Sequence, residues 1–141
     1  MLNEGMKVSV CDINENVGKN FPEDILEDQK NKVVFCKCDV SSESEFRAAF
    51  DKTIKTFGRI DLLINNAGIL NEHEWKRVID VNFVGVINGI HLAFEYMGID
   101  KGGCGGTVIN TGSNAAFEPI PLAPVYSGCK HGVIGLTRNY G

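Results

Sequence analysis

Near its C-terminal end the chain carries a hydroxyl at Ser113, a phenol at Tyr126 and an ammonium at Lys130, with an amide, Asn82, upstream. In Tyr126-Ser127-Gly128-Cys129-Lys130 the phenol and the ammonium stand four residues apart. On a helix that spacing puts two side chains on one face, one turn apart. A phenol with a reference pKa of about 10 is ionised to only about one part in a thousand at neutral pH, and full ionisation costs about 4 kcal/mol. A cation about 4 Å away, at an effective dielectric near 20, supplies about that much. The spacing therefore makes Tyr126 a usable base, with Ser113 able to hold a substrate oxygen against it. The chemistry such a set performs is alcohol oxidation or carbonyl reduction.

Strands alternating with helices must position these groups. Residues 7–12 alternate like a strand and end on Asp12, and residues 32–40 predict a second strand. Between them, residues 15–28 are polar with scattered apolar positions and carry Pro22, which predicts a broken helix. Ser42-Glu43-Ser44-Glu45 has capping-box spacing, and Phe46, Ala49, Phe50, Thr53, Ile54 and Phe57 continue at a helical period to Gly58. Residues 60–64 form a short apolar run around Asp61, suited to a strand buried on both faces. Residues 75–97 predict a long helix with Ile79, Phe83, Val86, Ile90, Ala93, Phe94 and Met97 on its apolar side. A Gly-rich turn at residues 102–106, a strand at 107–111 and a helix opening at Pro124 complete the series. This is the pattern of an α/β domain with a parallel sheet.

Each remaining motif has a structural use beside a functional one. Asp12, closing a strand, can accept hydrogen bonds from the adenosine ribose of a dinucleotide and would repel the extra 2′-phosphate of NADP; a turn acid or cap is the alternative. Asp39, followed by Val40, can meet an adenine amine or serve as a loop acid. In Asn65-Asn66-Ala67-Gly68 the small residues let the backbone approach a flat cofactor while the amides hold neighbouring strands, although Asn and Gly also favour a plain turn. Asn82, mid-helix among apolar neighbours, needs a polar partner. His73, His91 and His131 lack ligand spacing and are taken as non-catalytic.

With 141 residues the chain is one domain, 43% hydrophobic and 23% charged, a globular balance. A formal charge of -4 gives no footprint for nucleic acid, and no apolar run approaches the roughly 18 residues of a membrane helix, the longest candidate, Val84 to Phe94, being interrupted by Asn88 and His91. Cys11, Cys36, Cys38, Cys104 and Cys129 are odd in number and several lie in strand-like surroundings, which predicts reduced thiols that mostly pack as small apolar residues. A cytosolic location is the expectation.

Taken together, Asp12, Asp39-Val40, Asn65 to Gly68, Asn82-Phe-Val-Gly85, Ser113, Tyr126-x-x-x-Lys130 and the segment from His131 to Arg138 resemble a short-chain dehydrogenase/reductase. The similarity is greatest to the branch of NAD-dependent 15-hydroxyprostaglandin dehydrogenases and insect alcohol dehydrogenases. It implies an incomplete Rossmann-type, doubly wound parallel sheet over residues 1–141 and NAD-linked oxidation of a secondary alcohol, possible substrates including hydroxy-lipids. It implies Tyr126 as general acid/base and Lys130 as its charge partner and ribose ligand. Ser113 would orient the reacting oxygen, and Asn82 would hold a water linking Lys130 to solvent. Asp12 would take the adenosine ribose, Asp39 and Val40 the adenine, and Asn66, Ala67 and Gly68 the middle of the cofactor. A homodimer through the two long helices is the family's usual assembly.

Members of that family open with a strand and a Gly-rich turn that holds pyrophosphate. No such turn occurs here, and residues 1–6 look like the tail of the helix that would follow it. The strands at 7–12 and 60–64 are then expected either to pair directly or to leave a gap with open edges. Three accounts fit: a segment of an ordinary enzyme, a truncated form that holds a dinucleotide poorly and is weakly active or inactive, or a partner that docks on full-length subunits. Residues 1–141 by themselves are expected to bind NAD poorly.

Overall fold

The computed structural model describes residues 1–19 and 25–141. The part of the expected broken helix that falls on residues 20–24, Pro22 included, lies outside the described residues. The chain runs through β1 (Val8–Asp12), α1 (Glu15–Lys19), β2 (Val33–Lys37), α2 (Glu43–Phe57) and β3 (Leu62–Asn65). It continues through α3 (Trp75–Ile79), α4 (Gly85–Met97), β4 (Thr107–Asn110) and α5 (Pro124–Tyr140). Before β1, Leu2–Glu4 makes one tight helical turn ended by Gly5 at φ 80°, in the left-handed region.

Both strand pairings are parallel. β1 pairs with β2, from Val8 opposite Val33 to Asp12 opposite Lys37. β3 pairs with β4, from Leu62 opposite Thr107 to Asn65 opposite Asn110. No ladder joins β1 to β3 among the described residues, so of the two expected arrangements the gap is the one found. The apolar run of β3 is consequently not buried on both faces: Ile64 is 41% exposed and its register partner Ile109 47%. The periodicity described a strand sandwiched between layers, but no described element covers this face of the β3–β4 pair.

Helices join the two sheets. One core cluster packs Cys36 and Cys38 of the β2 end with Phe46, Ala49 and Phe50 of α2 and Leu92 of α4. A second packs Val86 and Ile90 of α4 with Val133 of α5, and Val108 of β4 rests against it. Helix α4 thus has one face toward each cluster. Its approach to β3 is close at Gly89, where an added Cβ would collide with the Asn65 side-chain amide.

The capping box expected at Ser42 forms only in part. Ser42 Oγ accepts the Glu45 N–H at 3.4 Å, while the Glu45 carboxylate accepts the N–H of Asp39 at 3.0 Å. Glu45 therefore fixes the strand-to-helix loop instead of returning to the cap. The long helix expected over residues 75–97 is present but widens at Asp80–Val84, where the Gly85 N–H reaches back five residues to the Asp80 carbonyl.

The helical run Glu72–Met97 spans 26 residues with mean hydropathy 1.3 in its most apolar window, enough by length and composition to cross a membrane. Half of that window is buried inside the fold, as in a core helix. The absence of a long uninterrupted run had concealed this, because Asn82, Asn88 and His91 break the apolar string without breaking the helix. All five cysteines are free; Cys36, Cys38 and Cys129 are buried as expected, whereas Cys11 and Cys104 are exposed.

Candidate active site and cofactor site

Helix α5 presents Tyr126 and Lys130 one turn apart, as the spacing requires. Lys130 is only 4% exposed, and its Nζ lies 5.7 Å from the Tyr126 ring centroid. That nitrogen donates to the Thr111 carbonyl at 2.8 Å, just beyond β4. An ammonium has three N–H donors, so two remain without a hydrogen-bond partner among the described residues, in a buried place. The Tyr126 hydroxyl makes no hydrogen bond among the described residues, and its residue is half-buried. Cys129, between them in sequence, has its thiol pushed up by burial and further by the nearby Glu72 carboxylate.

Thr111 connects this helix to the turn after β3. Its hydroxyl donates to Asn66 Oδ1 at 3.1 Å, and its N–H donates to the Asn65 carbonyl at 3.0 Å. The Asn65 amide donates to Asn110 Oδ1 at 2.8 Å, tying neighbouring strand ends. Asn66 and Lys130 are thereby brought together through a single residue. Ser113 follows on the same loop and caps the turn Asn114–Ala116, accepting the Ala115 N–H at 3.2 Å. Its hydroxyl donates to Asn114 Oδ1 at 3.2 Å, a contact in reach of rearrangement by rotation of the hydroxyl.

Asn82 is fully buried in the widened turn. Its amide nitrogen donates to the carbonyls of Val78 at 2.9 Å and Ile69 at 2.8 Å, and its oxygen accepts the Ile69 N–H at 3.2 Å. Both donors are therefore committed to structure, and one lone pair of the oxygen is left. A Cβ on Gly68 would stand 2.7 Å from that oxygen. Only glycine lets the loop lie flat there, and Ala67 and Gly68 keep their outer surface exposed.

The acids stand apart from this cluster. Asp12 is half-buried at the end of β1, and Oδ1 accepts the Asn14 N–H at 2.8 Å while Oδ2 has no hydrogen-bond partner among the described residues. Asp39 is more heavily engaged. Its Oδ1 accepts the Ser41 N–H at 3.0 Å and hydroxyl at 2.7 Å, and its Oδ2 accepts Arg77 Nη2 at 2.6 Å. Partial burial pushes the Asp39 carboxyl up, but the Ser41 hydrogen bonds and the Arg77 guanidinium outweigh it and hold the group below the usual range. One lone pair of Oδ2 remains. Val40 follows, with its carbonyl accepting Asn88 Nδ2 at 3.0 Å.

The sequence reading missed Arg77, Thr111 and Glu72. Thr111 was visible as a strand end, and Arg77 carried no signal beyond its charge. Glu72 contacts the backbone of α5 from fifty-three residues away, a relation that no local pattern encodes.

A parallel α/β framework with a Tyr/Lys helix, an Asn-Asn-Ala-Gly turn and acids at two strand ends defines a class, and the comparisons agree. The short chain dehydrogenase family profile matches residues 1–141, and the chain belongs to that family. It is 39% identical over 140 residues to human 15-hydroxyprostaglandin dehydrogenase [NAD(+)], covering 99% of this chain and 53% of the relative. Alcohol dehydrogenase 2 of Ceratitis cosyra is 36% identical over 124 residues, covering 85% and 48%. The crystal structure of a short chain dehydrogenase/reductase from Burkholderia phymatum in complex with NAD superposes with a TM-score of 0.82 at 27% identity, covering 95% of this chain and 50% of that one. The chain spans about half the length of the curated relatives it matches.

Proposed function

We propose that the protein is an NAD-dependent oxidoreductase that moves a hydride between a secondary alcohol and the nicotinamide, with Tyr126 as general acid/base. The observation that carries this is Lys130: a buried ammonium with two unpartnered N–H groups beside a free phenol. Burying such a group is costly unless its donors are met. The ribose hydroxyls of a nicotinamide nucleotide are the partners we assign to them.

The other residues fit the same cofactor. The loop at Gly68 lies flat against Asn82 with its outer surface exposed to a flat group, Asp12 has a carboxylate oxygen available for ribose, and Asp39 and Val40 would meet adenine. The negative charge of Asp12 favours NAD over NADP. NAD supplies the hydride acceptor when bound. The Lys130 charge favours Tyr126 as the phenolate, which takes the hydroxyl proton of the alcohol and becomes neutral as the carbon gives up its hydride, while Ser113 holds the reacting oxygen. Asn82 holds the loop at Ile69 and has one lone pair left for a water on the proton path.

The substrate class is an alcohol or ketone with an apolar flank. Phe117 and Leu122, on the loop before α5, are 73% and 89% exposed and would form that flank. Assembly as a homodimer would cover Phe94 of α4 and Tyr140 of α5, which pack together at 5.6 Å while 53% and 46% exposed.

The test is NADH formation from secondary alcohols of increasing chain length. Tyr126→Phe is expected to cut turnover by about 10²–10⁴-fold, the usual worth of general acid–base catalysis, without changing the fold. Undiminished turnover in that variant would refute the acid/base role.

A further inference from the structure

Helix α5 has no cap of its own: Ala123 at its N-cap offers no side-chain acceptor. Its first turn is nevertheless fully satisfied. Pro124 has no N–H to satisfy. The N–H groups of Val125 and Tyr126 donate to the two carboxylate oxygens of Glu72, at 3.2 and 3.0 Å. The Ser127 N–H bonds the Ala123 carbonyl at 2.9 Å within the helix. One distant side chain thus takes both donors that the turn leaves open, and its negative charge suits a helix N-terminus.

Glu72 is itself held. It opens the short turn Glu72–Glu74, where Asn71 Oδ1 accepts the His73 N–H at 3.3 Å and Asn71 Nδ2 donates to Glu74 at 3.1 Å. Three residues earlier Asn82 grips Ile69 by both its N–H and its carbonyl. The loop leaving Gly68 is therefore pinned at one end to the widened helix turn and at the other to the backbone of Tyr126.

We infer that Glu72 is a positioning residue for Tyr126, a cap reaching across the fold that locks the phenol-bearing turn of α5 to the cofactor-side loop. This role rests on the acid/base reading of Tyr126. Lys130 lies one turn deeper and is fixed separately by Thr111, so loss of Glu72 frees the first turn of α5 while leaving the ammonium in place. The phenol then loses its register against a substrate held elsewhere, which lowers the chemical step more than cofactor binding.

Amide hydrogen exchange by NMR reads the cap without any turnover, in wild type, Glu72→Gln and Glu72→Ala, with the buried Val133 amide of the same helix as reference. Glutamine offers one acceptor oxygen where the carboxylate offers two. Protection at Val125 and Tyr126 is expected in the wild type, at only one of them in Glu72→Gln, and at neither in Glu72→Ala, with Val133 unchanged. Should Glu72→Ala unfold, shown by loss of protection at Val133, the Glu72→Gln pattern decides. In turnover, Glu72→Ala is expected to lower kcat by up to about 10²-fold through misplacement, with KM for NAD held within about twofold and Glu72→Gln intermediate. Equal exchange of Val125 and Tyr126 in wild type and Glu72→Ala would overturn the cap. Full kcat in Glu72→Ala, in an enzyme that Tyr126→Phe silences, would overturn the positioning role alone. Full turnover in Tyr126→Phe would instead remove the acid/base reading, and this role with it, whatever the amides show.

Discussion

Lys130 is buried, and if its burial serves the proposed cofactor contact it carries a measurable cost in stability. Replacing buried charge by an apolar side chain of similar volume is often neutral or stabilising, by about 1–4 kcal/mol. Lys130→Met should therefore leave the urea midpoint unchanged or raised while NAD binding weakens. A large loss of stability would mean that the bond to Thr111 is structural. Asp39 makes the opposite case. Its folded value is held below the ordinary value of about 3.9, so its contribution to stability is complete above about pH 4 and is lost as pH falls through the lowered value. Arg77→Met should remove part of that contribution at pH 7, about 1 kcal/mol for a pair that solvent still reaches, and flatten the decline below about pH 4. Urea midpoints at several pH values would check both, and an unchanged acid slope would count against the Arg77–Asp39 pair. The residues that carry chemistry by type, Tyr126 and Lys130, were legible because helical spacing is local. The Arg77–Asp39 pair was not, since it joins positions thirty-eight residues apart.

At the scale of elements, α4 is the piece on which both core clusters depend. Gly89 allows its approach to β3, because a Cβ there would strike an Asn65 amide already bonded to Asn110. Gly89→Ala should cost about 1–3 kcal/mol, as overpacking does in a well-filled core, despite the better helix propensity of alanine. Thermal unfolding of the variant tests this, and a gain in stability would contradict the close approach. The helices were legible where an apolar stripe and a stop coincide, as for α2, which ends at Gly58 with φ 90°. The widened turn at Asp80–Val84 was not legible. It is a change in backbone bonding that Asn82 helps to satisfy, and a 3.6-residue period runs through it with little disturbance. The strands were placed within a few residues, but the burial of β3 was misjudged, because an apolar run records what a strand is suited to pack against rather than what is present.

Across the whole molecule, two parallel pairs joined only by helices leave strand edges and the Ile64–Ile109 face uncovered by any described element. Open edges beside exposed apolar surface favour self-association. The double variant Ile64→Thr, Ile109→Thr should reduce concentration-dependent association in sedimentation, with stability changed by no more than about 0.5 kcal/mol per site, as at other exposed positions. Unaltered association would place the contact elsewhere. In the proposed function both sheets contribute to one dinucleotide site. An NMR titration with NAD tests it most directly. Amides at Asp12, Val40, Gly68, Thr111 and Tyr126 are expected to shift together along one saturation curve, with NADP far weaker. Shifts confined to one strand pair, or equal response to NAD and NADP, would contradict it.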